Sequence, residues 1–513
     1  MLAAGSLGSC APFATSRDRI RIALDGDPST LNLLLGDDPN TFDVGLIING
    51  FLLRTDERGN LIPDIAVRVP TLANGGIAPD GRTLRYELRR DALWHDGARV
   101  TAADVAFTLG LVSRPDVNVA DRSGYNLITD VRVPSPYVVE VRLRESYSPG
   151  IATFLATAAN QPYPIVPKHL LQNVLDINHA SYNERPIGCG PYAVKAWRRG
   201  DVVDLERFDR YFRGIPPTKY LEMRTAPSNA ALIGLWHDGQ IDVAGLTGER
   251  ELLEIFRKMP DANVDVYQRN TLEYLLFAHQ RPALRDERVR QAIVAAIDRD
   301  RIMRDTLGPF YVPAEGDRLP GAFGYDPNLR QQPFDPSLAR RMLDEVGRPA
   351  QLVLAHGTGN FESEIAVQIQ AALAAVGVAV VLRQYPSALL TAPASEGGIL
   401  AGGRFDLFVG GWNPGGIADT SYLYRCDTRP PAGENYSRIC DPEVDAAARL
   451  ELGAVDQALQ RRGDVEMQRE LIARTHVLYL GFVAGALATR RGLKGFKPSS
   501  IVRTYWNPWE WRW

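Results

Sequence analysis

Apolar side chains in this chain recur with two periods, and the switches between them mark its elements. At residues 19–24 Ile20, Ile22 and Leu24 sit at every second position, which predicts a half-buried strand. The same alternation places Leu84, Tyr86 and Leu88 opposite Arg85, Glu87 and Arg89. Past Thr101 the period lengthens, and Val105, Leu109 and Val112 share one face of a helix. Thr101 and Asp104 stand at capping-box spacing at its start. A further helix carries Val289, Ile293, Ala296 and Ile297 on one face after a capping Asp286. Another opens at Asp335-Pro336 and closes at Gly347. Residues 50–68 predict a hairpin around a glycine-bearing turn, and 201–208 and 274–279 predict strands. A strand at 351–355, a helix at 361–376 and a strand at 378–384 predict a parallel-sheet unit.

The length of 513 residues implies more than one core, and the hydrophobic share of 45% is that of a globular protein. With a net charge of −3 and both signs interspersed, the chain offers no basic field for nucleic acid. No apolar run is long enough to cross a membrane as a helix. The seven histidines are dispersed, with no His-Glu-x-x-His, no Cys-x-x-Cys, no Gly-x-Ser-x-Gly elbow and no phosphate loop. His95 and Asp96 belong to a tight turn, whose neighbours rarely converge on one substrate atom. These features argue against an enzyme and suggest no metal and no cofactor.

Three blocks stand out in order: 86–108, with Trp94-His95-Asp96-Gly97; Gly188-Cys189-Gly190-Pro191-Tyr192, with 207–214 after it; and the helix at 286–298. Together they resemble the extracytoplasmic solute-binding proteins of ABC importers, family 5, the peptide/nickel class. The resemblance runs from about residue 19 to the C-terminus. It implies a two-lobed α/β periplasmic-binding-protein fold (type II, cluster C) with an extra subdomain inserted in the first lobe. On that pattern, 1–16 is a signal remnant and tether. The first lobe comprises 17–50, 185–268 and 490–513, the insert 51–184 and the second lobe 269–489. Cys189 replaces the family's usual threonine and is expected to be a small buried side chain.

The implied function is capture of a peptide or peptide-like solute between lobes that close on it, followed by delivery to permease subunits driven by cytoplasmic ATPases. The expected state is a monomer, outside the cytoplasm. The alternatives are a binder of an oligosaccharide, N-blocked peptide or metal chelate, or a surface lipoprotein acting as adhesin or scaffold. Leu7-Gly8-Ser9-Cys10 resembles a lipobox, making Cys10 the expected lipid anchor, although only nine residues precede it and none is basic. Cys426 and Cys440 enclose a loop rich in Pro, Gly and Arg, so a disulfide is expected there, with two free thiols as the alternative.

For the ligand, the best local candidate is 406–419, where a strand delivers Trp412 into a Gly/Pro loop holding Asn413, Gly415 and Asp419. His356 and Thr358 follow another strand, and Leu35 and Gly36 face them from the first lobe. In peptide-binding relatives an Asp three residues after this Trp pairs with the ligand's α-amino group; here that position is Gly415. Either Asp419 serves instead, or the ligand has no free amino terminus. The aromatic C-terminus, from Tyr505 to Trp513, is expected to pack where the chain returns to the first lobe.

Overall fold

The computed structural model describes residues 18–159, 161–246, 250–412, 419–498 and 504–513. Local signals set most element boundaries. The strand Arg19–Leu24 alternates in burial as its sequence does. The helix Ala102–Ser113 begins where the Asp104 carboxylate accepts the Thr101 backbone N–H at 2.8 Å. Asp286 caps the helix Glu287–Ala296, and Asp335 caps Pro336–Val346, which ends at Gly347 with φ +88°. Arg290 in this helix is only 3% exposed; its guanidinium donates to the carbonyls of Leu284, Arg285, Arg474 and Thr475.

Among the described residues one mixed sheet of eleven strands runs through the molecule. At one end the parallel strands Leu352–His356 and Val380–Gln384, with the helix Asn360–Ala375 between them in sequence, form the unit that the 351–384 pattern predicts, and Leu407–Trp412 pairs parallel on its other side. At the other, Arg19–Leu24 lies between Tyr220–Thr225 and Val243–Gly245, both parallel to it. Two long antiparallel strands, Ala262–Phe277 and Val477–Arg490, join the halves. Their register slips between Tyr267/Gly485 and Thr271/Val483, so that residues 268–270 of one strand face a single residue of the other. Such a bulge bends a strand and leaves residues out of the ladder.

Separate cores give the molecule its parts. Ile20, Ile22, Tyr192, Leu221 and Trp511 fill one face of the first half. Phe496 stacks on Trp511 with centroids 4.4 Å apart, so the terminal aromatics pack where the chain returns. The segment between strands Leu53–Thr55 and Tyr192–Arg198 has its own three-stranded sheet and its own core around Tyr86, Trp94, Leu109, Phe154 and Cys189. In the second half, Tyr274, Phe408, Tyr424 and Tyr479 lie on one face of the sheet, and Leu354, Ile369 and Leu407 on the other.

The glycines of 188–192 are there for space. A Cβ on Gly188 would lie 1.9 Å from the Ile48 carbonyl oxygen, and one on Gly190 would lie 2.5 Å from that of Ile47. His95 ties the first block to the second: its Nε2 lies 3.0 Å from the Gly190 carbonyl, while its Nδ1 accepts the Gly188 N–H at 3.3 Å. Burial holds its pKa down to about 4, so this is a neutral structural imidazole. Cys189 is a free thiol, 1% exposed, and burial pushes its pKa far up. Cys426 and Cys440 are joined by a disulfide with Cα atoms 4.5 Å apart.

Candidate ligand site between the lobes

Strand ends build this site. The parallel strands Leu352–His356 and Leu407–Trp412 finish side by side, with His356 beside Val409 in register. In open α/β sheets ligands collect outside such carboxyl ends. Trp412 emerges half-buried; its Nε1 donates to the Tyr422 hydroxyl at 2.9 Å and the rings meet edge to face at 5.9 Å. Asn413 and Gly415 lie outside the described residues, as does Cys10.

Asp419 is not free to swing. Its carboxylate accepts the Ser421 N–H at 2.8 Å and the Ser421 hydroxyl, and Arg425 stands 4.0 Å away. Beside it, Thr420 accepts from Arg318, whose guanidinium also clasps Asp464 through two bonds of 3.0 and 2.9 Å. This buried grip fixes the chain that follows the Trp412 loop.

The insert closes over the same region. Ser148 donates its N–H to the Leu452 carbonyl at 2.8 Å and its hydroxyl to the Glu451 carbonyl at 2.7 Å. Burial, and next the nearby Asp419 charge, push the Tyr147 hydroxyl pKa far up. The negative charge of Asp121, also from the insert, adds to the burial that raises Glu434 and Tyr422.

The other sequence-predicted residues are more scattered. His356 is 5% exposed, with its Nδ1 2.8 Å from the Gly357 carbonyl, and Thr358 is exposed. Leu35 and Gly36 stay with the first lobe's turn, where Gly36 accepts from Gln161 at 2.9 Å. A Cβ on Gly36 would meet the Thr41 methyl at 2.3 Å, so this glycine already has a packing role. Trp412 bonds to Tyr422, which also feels the Asp419 charge, whereas Leu35 and Gly36 share no hydrogen bond with Trp412 or Asp419 among the described residues.

Sequence reasoning passed over two carboxylates. Glu273, on the spanning strand Ala262–Phe277, is 1% exposed and stands opposite Gly411, the residue before Trp412. Its Oε2 has no hydrogen-bond partner, and neither does Oε2 of Glu362 in the first turn of the helix Asn360–Ala375. Burial, and next the charge of Glu362, push the Glu273 pKa up to about 8. The signal was present in the sequence as a lone Glu inside the run Leu272-Glu273-Tyr274-Leu275-Leu276-Phe277. A cavity of about 490 Å³ lies elsewhere on the second half, lined by His279, Gln280, Arg429 and Arg438 beside the disulfide, away from Trp412. Among the described residues no group of three or more His, Cys, Asp or Glu side chains could hold a metal ion.

A two-lobed α/β body with strand ends facing an inserted subdomain is the architecture of a solute-binding protein. The chain matches the middle region of the bacterial extracellular solute-binding proteins, family 5, over residues 67–433. It belongs to that family, which supplies the substrate-binding component of ABC transport. Its relatives include the oligopeptide-binding protein AppA of Bacillus subtilis, 24% identical over 495 residues, 92% of this chain and 87% of that protein. The glutathione-binding protein GsiB of Pectobacterium atrosepticum is 25% identical over 427 residues, 82% of this chain and 81% of that protein. In three dimensions the chain is similar to the ABC transporter substrate binding protein CtaP of Listeria monocytogenes. The TM-score is 0.84 at 21% identity, covering 96% of this chain and 99% of that one. These relatives are binding proteins rather than enzymes.

Proposed function

We propose that this chain captures a peptide or peptide-like solute between its lobes and hands it, unaltered, to the transmembrane subunits of an ABC importer whose cytoplasmic ATPases drive release. The observation that carries the reading is near-full-length similarity to proteins named for oligopeptide and glutathione binding. The lobes are taken as 17–50 with 185–268 and 490–513, and 269–489, with 51–184 inserted in the first. Trp412 and Asp419, with His356 and Thr358, form the second lobe's wall; Asn413 and Gly415 belong to the loop between the first two. Leu35 and Gly36 form the facing wall. The ligand stabilises the closed arrangement because only there does it touch both walls, and closure is favoured by that difference in affinity. A monomer held outside the cytoplasm, with lipid on Cys10, suits this role.

Native mass spectrometry of protein purified without denaturation tests the ligand class. A retained mass that fragments as a peptide is the expected result; a sugar or a metal chelate overturns the peptide reading. Small-angle scattering before and after that ligand is added tests closure. A smaller radius of gyration is expected, and an unchanged one overturns the clamshell.

A further inference from the structure

A buried carboxylate with one oxygen unpaired costs a fold free energy unless something returns the lost hydrogen bond. Glu273 is such a group. On both neighbouring strands the residue opposite it is a glycine, Gly411 on one side and Gly481 on the other. A Cβ on Gly411 would lie 2.2 Å from Glu273 Oε1, so the missing side chain is what leaves room for the carboxylate. Among the described residues no Arg or Lys neutralises it. The charged and titratable groups facing it are Glu362 from the helix Asn360–Ala375 and Tyr274 from its own strand; His356, ending the strand Leu352–His356, faces Glu362. Glu362 Oε2 is buried and equally unpartnered. Among the described residues no cation offsets the Glu362 charge that acts on Glu273, and Glu273 stands opposite Gly411 at the strand end next to Trp412.

We propose that Glu273, assisted by Glu362, is the subsite for the cationic group of the solute, which in a peptide is the α-ammonium. This rests on the peptide reading above. An ammonium donating to Glu273 Oε2 supplies the absent partner, and the carboxylate left when the proton departs gives the desolvated cation the charged partner it needs. The aspartate replaced by Gly415 is on this account relocated to the adjacent strand, and Asp419, held by Ser421 and Arg425, is not called on. Because burial keeps Glu273 protonated near neutral pH, seating the cation expels that proton.

The test uses a tri- to pentapeptide pool free of Lys, Arg and His, and the same pool N-acetylated, each offered to the full chain and read by native mass spectrometry. Wild type is expected to favour the free-amine pool by about tenfold or more, the scale of one buried charge pairing. Glu273→Gln is expected to hold both pools within about twofold of each other. Calorimetry of wild type near pH 7, in two buffers of different ionisation enthalpy, is expected to show net proton release with the free-amine pool only. This measurement decides the matter if the variant does not fold. Equal retention of both pools by wild type, preference for the acetylated pool, an undiminished free-amine preference in Glu273→Gln, or no proton release overturns the subsite and leaves the peptide reading standing. Retention of neither pool overturns the peptide reading and the subsite with it.

Discussion

The proton on Glu273 should make the whole fold sensitive to pH. Unfolded, this carboxyl titrates at an ordinary 4.5; folded, at about 8. Between those values the native state keeps a proton that the unfolded chain gives up. Stability therefore falls as pH rises through the window, by at most about 1.4 kcal/mol per pH unit, and the loss levels off above the folded value. Urea unfolding at about pH 5, 6.5 and 8 should show this slope in wild type and a shallower one in Glu273→Gln, since Gln does not titrate. Arg318 gives the opposite kind of prediction. Removing it as Arg318→Ala strands Asp464 and Asp317, both fully buried, and should cost about 3–5 kcal/mol in the same assay. The pairing of Arg318 with Asp464 could not be read from the sequence, because the two are 146 residues apart and nothing local records that they meet. The apolar context of Glu273 was legible; the space its carboxylate takes over Gly411 was not.

Elements with local signals were the legible part of the fold. Asp286, Asp335 and Thr101 start helices where capping chemistry says they should, because a cap and its hydrogen-bond partner lie within one turn. The strand Val477–Arg490 gave no alternation to read, being buried along nearly its whole length on both faces. The glycine pair of 188–192 was legible as a reversal, and the structure adds the steric reason. Gly188→Ala should destabilise the protein by about 1–3 kcal/mol, as overpacking against backbone does, measurable as a lowered melting temperature. The disulfide closes a loop of sequence separation 14. Replacing both cysteines by serine should remove about 3 kcal/mol, with reduction of the wild type giving a similar loss in urea unfolding.

For the whole molecule, the contact between Ser148 and the end of the helix Pro442–Gly453 lies between insert and second lobe, so it should weigh on closure more than on folding. Ser148→Ala removes one of the two bonds. It should weaken binding of the recovered solute by about 2–10-fold while leaving urea unfolding within about 0.5 kcal/mol of wild type. The candidate site was only partly legible: Trp412 and Asp419 could be named from the sequence, whereas Ser148 and Glu273, brought to the same region by the fold, could not.

Two strands, not flexible tethers, carry the chain between its halves, and this bears on how the protein comes apart. Severing the backbone within 268–270 would leave both pieces zipped to Val477–Arg490 along either flank of the bulge. A nicked sample should therefore run as one particle on a sizing column until denaturant is added. Heat should likewise melt the intact protein in a single calorimetric peak, since neither half can fray without stripping a ladder the other shares.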